Sequence, residues 1–169
     1  MAKLKSEDLD LELEFEFLSY EDYSPVEYTF KCTLCWNGIP VLNERTMKRG
    51  TSYWDKGKEG GIVGSEMVGF TLIKDMEDAL KTKSVKIWEA WPDPDMCVSI
   101  YPGRFFPYLD EEDSEYNTII ISPDTYQFKG NDCYSGYEGV SFVMTPSTQE
   151  LKEFINDLKM ELEDIKGKK

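Results

Sequence analysis

Two cysteines at the spacing of a metal or redox pair are the most recognisable chemical feature of this sequence. Cys32 and Cys35 form a C-x-x-C motif within the segment CTLCWNG. A redox motif of this type lies at a helix start, where the helix dipole lowers the thiol pKa, and a structural zinc site needs a second pair of ligands. The surrounding residues alternate as a strand, which directs the two side chains to opposite faces of a sheet. We therefore predict neither a shared metal ion nor a disulfide between them.

Other catalytic groups are scarce. The chain contains no histidine, which removes the commonest general base, the usual serine and cysteine triads and most catalytic zinc sites. Cys97 and Cys133 stand alone, and four irregularly spaced cysteines are typical of reduced thiols in a cytosol. The sequence therefore predicts free thiols, no metal, no cofactor and no catalytic residue. Among 33 acidic residues, sequence alone cannot choose the facing pair that a carboxylate-based hydrolase would need.

An acidic segment and several loop aromatics are the candidates for binding a partner. The segment DEEDSE at 110–115 lacks the glycine and glutamate spacing of an EF-hand, so we interpret it as a solvated acidic loop that a basic partner could grip. Aromatic rings beside carboxylates suit a basic protein surface, because arginine can pair with the acid and stack on the ring; they would suit a sugar ring as well. The predicted partner-binding residues are Trp54, Trp91, Phe105, Phe106, Asp110, Glu111, Glu112 and Asp113.

The charge balance favours a basic partner. There are 19 Lys and Arg residues against 33 Asp and Glu residues, a net charge of −14. Such a surface repels nucleic acid and anionic bilayers and attracts and steers cationic proteins, although acidity can also serve solubility alone. The absence of an 18-residue apolar run and of a signal-type N-terminus predicts a cytoplasmic protein that does not span a membrane.

Alternating patterns predict the strands that position these residues. LDLELEFEFL places leucines and phenylalanines on one face and acids on the other. VEYTFKCTLCW alternates likewise, with Trp36 on the face of Leu34. Asn37-Gly38 then predicts a type I′ hairpin, and Pro40 in the return strand IPVLNER suggests a sheet edge. Residues 44–65 are rich in glycine and basic residues and predict a long loop without the phosphate-loop pattern. Loops of this length seldom persist without a function.

The remaining patterns complete an α+β fold. Helical spacing predicts a helix near 67–82, and strands are predicted in SVKIWEAW, MCVSIYP, NTIIISP, TYQFKG and EGVSFVMTP. Ser147 and Glu150 form a capping box before an amphipathic C-terminal helix. Its apolar stripe comprises Leu151, Phe154, Ile155, Leu158, Leu162 and Ile165. We predict one domain over 1–169, with a largely antiparallel sheet of about six to eight strands, two helices, and the C-terminal helix packed on the sheet.

Two segments resemble bacterial immunity proteins. LELEFEF near the start and STQELKEFINDLK near the end are similar to the early acidic strand and late helix of the family that neutralises wall-associated polymorphic toxins. The similarity covers about a quarter of the chain and carries over no functional residue. It implies a small α+β protein that binds and inhibits a toxin.

Three hypotheses for function follow. The first is a non-enzymatic binding protein, of the immunity type, that inhibits a basic partner such as a toxin. The second is a carboxylate-based hydrolase or carbohydrate-binding domain that uses acids and tryptophans in a cleft. The third is a structural module of a larger assembly. The first hypothesis accounts best for the net charge and for the lack of histidine and of a recognisable catalytic motif. The sequence does not indicate the oligomeric state.

Overall fold

The computed structural model describes residues 1–6, 10–22, 27–41, 70–89, 96–103, 115–123 and 140–167, together with the backbone of 62–66. Within these ranges the chain forms nine strands and two helices, in the order β1 to β5, α1, β6 to β9 and α2. The fold is therefore α+β, as the sequence predicts.

The first sheet is built from the N-terminal strands. Its members are β1 (Ala2–Ser6), β2 (Leu11–Glu21), β3 (Glu27–Trp36), β4 (Ile39–Pro40) and β5 (Ile62–Glu66). The strands are antiparallel in the order β1-β2-β3-β4, and β5 pairs with the edge of β3 that β4 also uses. The predicted alternation of β2 is confirmed from Leu11 to Phe17, after which a bulge shifts the register.

The second sheet is antiparallel and contains four strands. It comprises β6 (Lys86–Glu89), β7 (Met96–Pro102), β8 (Asn117–Pro123) and β9 (Phe142–Met144), in the order β6-β7-β8-β9. The predictions in MCVSIYP and NTIIISP are confirmed residue for residue, whereas the strands predicted in SVKIWEAW and EGVSFVMTP are shorter than their patterns. The segment TYQFKG lies outside the described residues.

The prediction of one sheet with six to eight strands is wrong. The chain forms two separate ladders, because β6 begins a new set of pairings after α1 instead of extending the edge at β5. Their edges approach where the Thr145 amide donates to Ser6 Oγ over 3.2 Å. Two features of the first sheet also differ from expectation: β1 was not predicted, and residues 62–65 at the end of the predicted loop 44–65 belong to β5.

Both predicted helices are present. Helix α1 (Leu72–Thr82) starts later than its pattern, while α2 (Thr148–Gly167) starts directly after Ser147, the first residue of the predicted capping box. The Ser147 amide donates to Glu150 Oε2 over 2.6 Å, and the Glu150 amide donates to Ser147 Oγ over 3.2 Å. This reciprocal pair satisfies two amides that a helix start otherwise leaves without partners.

One aromatic cluster joins the two sheets and α2. The Phe15 ring centroid lies 5.4 Å from that of Phe30, 6.4 Å from that of Trp88 and 6.3 Å from that of Phe154. These rings come from β2, β3, β6 and α2, so both sheets and the C-terminal helix share a core. The predicted stripe of α2 is confirmed: Leu151, Phe154, Ile155 and Leu158 are buried, and Leu162 and Ile165 pack against the core. The helix packs against β1, β2 and α1.

Candidate functional site

The partner-binding residues predicted from the sequence lie outside the described residues. These are Trp54, Trp91, Phe105, Phe106, Asp110, Glu111, Glu112 and Asp113. Their role stays a prediction. The described residues contain a different candidate site, at the end of the first sheet where the β3–β4 hairpin turns.

Charged side chains of β1 and β2 form a lattice on the outer face of the first sheet. Lys3 is directly opposite Glu14, and Lys5 is directly opposite Glu12. Lys3 Nζ lies 2.9 Å from Glu12 Oε1 and also pairs with Glu14, while Lys5 Nζ lies 2.8 Å from Glu12 Oε2. Both oxygens of Glu12 are therefore engaged by lysines. The alternation predicts the outward acids, but the lysines that meet them belong to the strand that the sequence patterns did not reveal.

These contacts fix the charge state of the lattice. The hydrogen bond from Lys5, reinforced by Lys3, lowers the pKa of Glu12 from 4.5 to about 2, although partial burial opposes the shift. Hydrogen bonds to Glu14 and Glu12 raise the pKa of Lys3 above its ordinary value. Glu12 is accordingly an anion at neutral pH and is unsuited to donate a proton as a general acid. Its chemistry is that of a hydrogen-bond acceptor for cations.

The β3–β4 turn has the conformation that the Asn37-Gly38 pair predicts. Asn37 and Gly38 have φ values of 50° and 72°, the positive values required at both central positions of a type I′ turn. The Asn37 amide donates to the Asp10 carbonyl over 2.8 Å, and Asp10 itself has a φ of 47°. The hairpin tip is thus hydrogen-bonded to the residue that leads into β2.

Two large apolar side chains at this hairpin face solvent. Trp36 and Ile39 are paired across β3 and β4, and their exposed fractions are 62% and 68%. The prediction that Trp36 shares the face of Leu34 agrees with the strand register, but Leu34 is buried and Trp36 is exposed. The difference arises at the end of the sheet, where the partner of Trp36 on β2 is Leu11, the first residue of that strand.

A cleft of about 540 Å³ opens between the charged lattice and the hairpin tip. Its lining combines three carboxylates, one amino group, a thiol and the turn residues. The lining residues of this hairpin cleft are Lys5, Ser6, Asp10, Leu11, Glu12, Glu14, Cys35, Asn37 and Gly38. The cleft thus carries a net negative charge, and Trp36 and Ile39 stand next to the turn that bounds it.

The structure confirms that the C-x-x-C side chains lie on opposite faces of β3. Cys32 is buried in the core, whereas Cys35 is partly exposed and lines the hairpin cleft. Both thiols are free, as is Cys97, while Cys133 lies outside the described residues. Burial raises the pKa of Cys35, and the negative charges of Glu14 and Glu12 raise it further. This environment disfavours the thiolate that a nucleophile or a metal ligand requires.

A second carboxylate pair lies at the other end of the β2–β3 hairpin. Glu21 and Glu27 are directly opposite each other, and burial, followed by the charge of Glu21, raises the pKa of Glu27. Glu27 Oε1 is buried and accepts no hydrogen bond from the residues that the structure describes. Like charges opposite each other destabilise a sheet, so this pair is a local cost to folding. A carboxyl with a raised pKa opposite a second carboxyl is also a feature of the unequal carboxylates of an acid–base site.

Within the described ranges, no three cysteine or acidic side chains are grouped so that they could hold a metal ion. Neither helix in the described part of the chain combines the length and apolar character needed to cross a membrane. No protein-family model, curated protein or solved structure matches this chain significantly.

Proposed function

We propose that this chain is a non-enzymatic binding protein that captures a basic protein partner, in the manner of an immunity protein that inhibits a toxin. The observation that carries the proposal is the hairpin cleft, which Asp10, Glu12 and Glu14 line. The exposed pair of Trp36 and Ile39 lies at the same hairpin, on the other face of the sheet. A partner surface rich in arginine and lysine that covers the hairpin tip can meet both the carboxylates and the aromatic anchor.

The net charge of −14 supports the same proposal at longer range. A cationic partner is accelerated toward an acidic surface by the summed field, and short-range contacts then determine how long it stays. On this proposal, the net charge raises the association rate. Contacts in the cleft and with the Trp36–Ile39 pair lower the dissociation rate and so lengthen the lifetime of the complex.

A carboxylate-based hydrolase is the second candidate function, and the Glu21–Glu27 pair favours it. One carboxyl with a raised pKa opposite a second carboxyl is the arrangement from which glycoside hydrolases obtain their acid and their nucleophile or base. If this pair were catalytic, Glu27→Gln would abolish hydrolysis of a glycan substrate. The binding proposal expects Glu27→Gln to leave partner capture unchanged, because the hairpin cleft lies at the opposite end of β2.

The test is a capture experiment with paired surface variants. The immobilised chain is incubated with host lysate at low and high salt, and each captured protein is then purified and titrated against the chain. We expect to capture a basic protein that binds at low salt. Trp36→Ser combined with Ile39→Ser should lower its affinity for the chain by at least tenfold, which is the contribution of an anchor residue.

The matched control substitutes two exposed aliphatic residues of the second sheet. Ile87→Ser combined with Val143→Ser also removes exposed apolar surface, but it leaves the hairpin unchanged and should leave affinity unchanged. A partner that is acidic, or a neutral sugar, would contradict the proposed function. Equal losses for the two double variants would contradict the assignment of the hairpin as the binding surface.

A further inference from the structure

We propose that the hairpin cleft receives an arginine side chain of the partner, and that Lys5 occupies this arginine's position on Glu12 until the partner binds. The inference rests on the proposed function and deepens it. It assigns the cleft one ligand chemistry, a guanidinium group carried on a basic protein surface.

The starting point is the unequal environment of the two groups in the Lys5–Glu12 pair. The Lys5 side chain is 66% exposed, whereas that of Glu12 is 21% exposed. Glu12 is held on β2 between the Lys5 strand on one side and Cys35 of β3 on the other. The carboxylate is thus a fixed acceptor, while the lysine is a long, solvated side chain held by a weak surface ion pair. Lys5 can leave the cleft at small cost.

The geometry of the acceptor favours arginine over lysine as the replacement. Glu12 Oε1 receives Lys3 and Oε2 receives Lys5, and each carboxylate oxygen has two lone pairs. A guanidinium can donate two parallel N–H bonds to both oxygens, whereas an ammonium group acts as a point charge. A partner arginine could therefore displace Lys5 from Oε2 while Lys3 stays on Oε1.

The rest of the cleft supplies charge and contact for the same ligand. Asp10, Glu12 and Glu14 line the cleft with Lys5, and Lys3 also pairs with Glu12 and Glu14. Three carboxylates against two amino groups leave one net negative charge, and a second is gained when Lys5 leaves. The exposed Trp36 and Ile39 lie at the same hairpin, on the other face of the sheet. A partner segment that passes over the hairpin tip can place its arginine in the cleft and pack on this pair. Charge complementarity thus favours an arginine, and the exposed apolar pair at the same hairpin favours one presented by a protein segment.

The test compares two variants of Lys5 with the same variants of Lys159. Lys159 is also an exposed lysine in an ion pair, with Glu77, but it lies on α2 outside the cleft. The probes are a short oligoarginine peptide and an oligolysine peptide of equal length, titrated by calorimetry at low salt. Lys5→Gln should raise the affinity for oligoarginine, and the increase should be about fivefold larger than that caused by Lys159→Gln. This factor corresponds to the energy of the surface ion pair by which Lys5 competes with the peptide for Glu12.

Lys5→Arg provides the complementary test at constant net charge. A built-in arginine should hold Glu12 more firmly than lysine does, so this variant should bind oligoarginine more weakly than the wild type, while Lys159→Arg should bind it equally. Equal effects at the two positions would overturn the role of Lys5. An equal gain for oligolysine in Lys5→Gln would overturn the preference for arginine.

Cys35 reports whether the probe occupies the cleft. A cationic ligand near Cys35 would by electrostatics alone lower the thiol pKa and so speed its alkylation. Slower alkylation in the presence of oligoarginine would therefore indicate that the peptide covers the Cys35 thiol. Mass spectrometry of the Cys35 peptide gives the rate, and an unchanged or faster rate would overturn the proposed site. Absence of oligoarginine binding to every form would contradict the proposed function itself, whereas binding that ignores Lys5 and Cys35 would contradict only this inference.

Discussion

Cys35 and Trp36 are adjacent in the sequence, yet strand alternation gives them different environments. Cys35 faces the charged lattice and lines the hairpin cleft, while Trp36 belongs to the other face and emerges at the end of the sheet. The alternation was sufficient to predict that Cys32 and Cys35 cannot meet. It could not predict the exposure of Trp36, because exposure depends on where neighbouring elements end.

The first prediction concerns thiol reactivity. In the native protein Cys35 should be alkylated at least tenfold faster than Cys32 and Cys97, because the latter two are buried and reagent must reach the sulfur. Burial raises the pKa of all three thiols, so every native rate should be below that of the unfolded chain. Peptide mapping after timed alkylation measures the rates, with the denatured chain as control. Comparable native rates for Cys32 and Cys35 would contradict the assigned register.

The second prediction uses two glutamates whose pKa values shift in opposite directions. The pKa of Glu12 falls on folding to about 2, so its contribution to stability is present above the unfolded value of 4.5 and is lost as pH falls toward about 2. The pKa of Glu27 rises on folding. Its ionisation therefore destabilises the fold progressively as pH rises from the unfolded value through the folded one.

Glutamine substitutions should reveal these opposite signs. At about pH 7, Glu12→Gln should destabilise the protein by up to ~1 kcal/mol, the value of a surface ion pair, and Glu27→Gln should stabilise it by roughly 0.5 kcal/mol, since the like-charged pair with Glu21 is removed. Both differences should shrink at about pH 3. Urea unfolding at the two pH values measures them. Destabilisation by Glu27→Gln at neutral pH would show that its carboxylate has a favourable contact.

At the level of elements, local patterns were predictive where they were long and regular. The capping box and six-residue stripe specify α2, and the Asn37-Gly38 pair specifies its turn. By contrast, β1 consists of Ala2–Ser6, and its alternation is too short to distinguish from chance until β2 pairs with it. Pairings between distant segments leave no local signal, so neither the division into two sheets nor the meeting of Lys5 with Glu12 could be derived from periodicity.

The third prediction separates the two faces of α2. Phe154→Ala should lower the free energy of unfolding by roughly 3–5 kcal/mol, because the ring is fully buried against Phe15 and a cavity would remain. Met160→Ala on the same helix should change it by less than ~0.5 kcal/mol, since that side chain is 61% exposed. Denaturant unfolding of both variants measures the contrast. Similar losses for the two would show that Met160 also packs in the solution structure.

At the level of the whole molecule, the two sheets and α2 share one aromatic core. The surface is characterised by its charge. The net charge of −14 could be read from the sequence, but its distribution could not. On the first sheet Lys3 and Lys5 neutralise part of the acidic face, so the described lattice is less negative than the outward acids of β2 suggest. The cleft and the predicted acidic loop at 110–115 are therefore distinct candidate sources of attraction.

The last prediction distinguishes these two sources by kinetics. Association with an oligoarginine peptide should slow severalfold when salt rises from about 0.01 M to about 0.1 M, because the Debye length falls from ~30 Å to ~10 Å, while dissociation changes much less. Replacing Asp110, Glu111, Glu112 and Asp113 by lysine should reduce the association rate severalfold if that loop steers the ligand. Glu12→Gln with Glu14→Gln should instead raise the dissociation rate, because short contacts in the cleft are lost. Stopped-flow fluorescence with a labelled peptide gives both constants, and circular dichroism checks that each variant is folded. If neither variant alters either constant, the charge of this protein serves solubility and the attraction of a basic partner has to be abandoned.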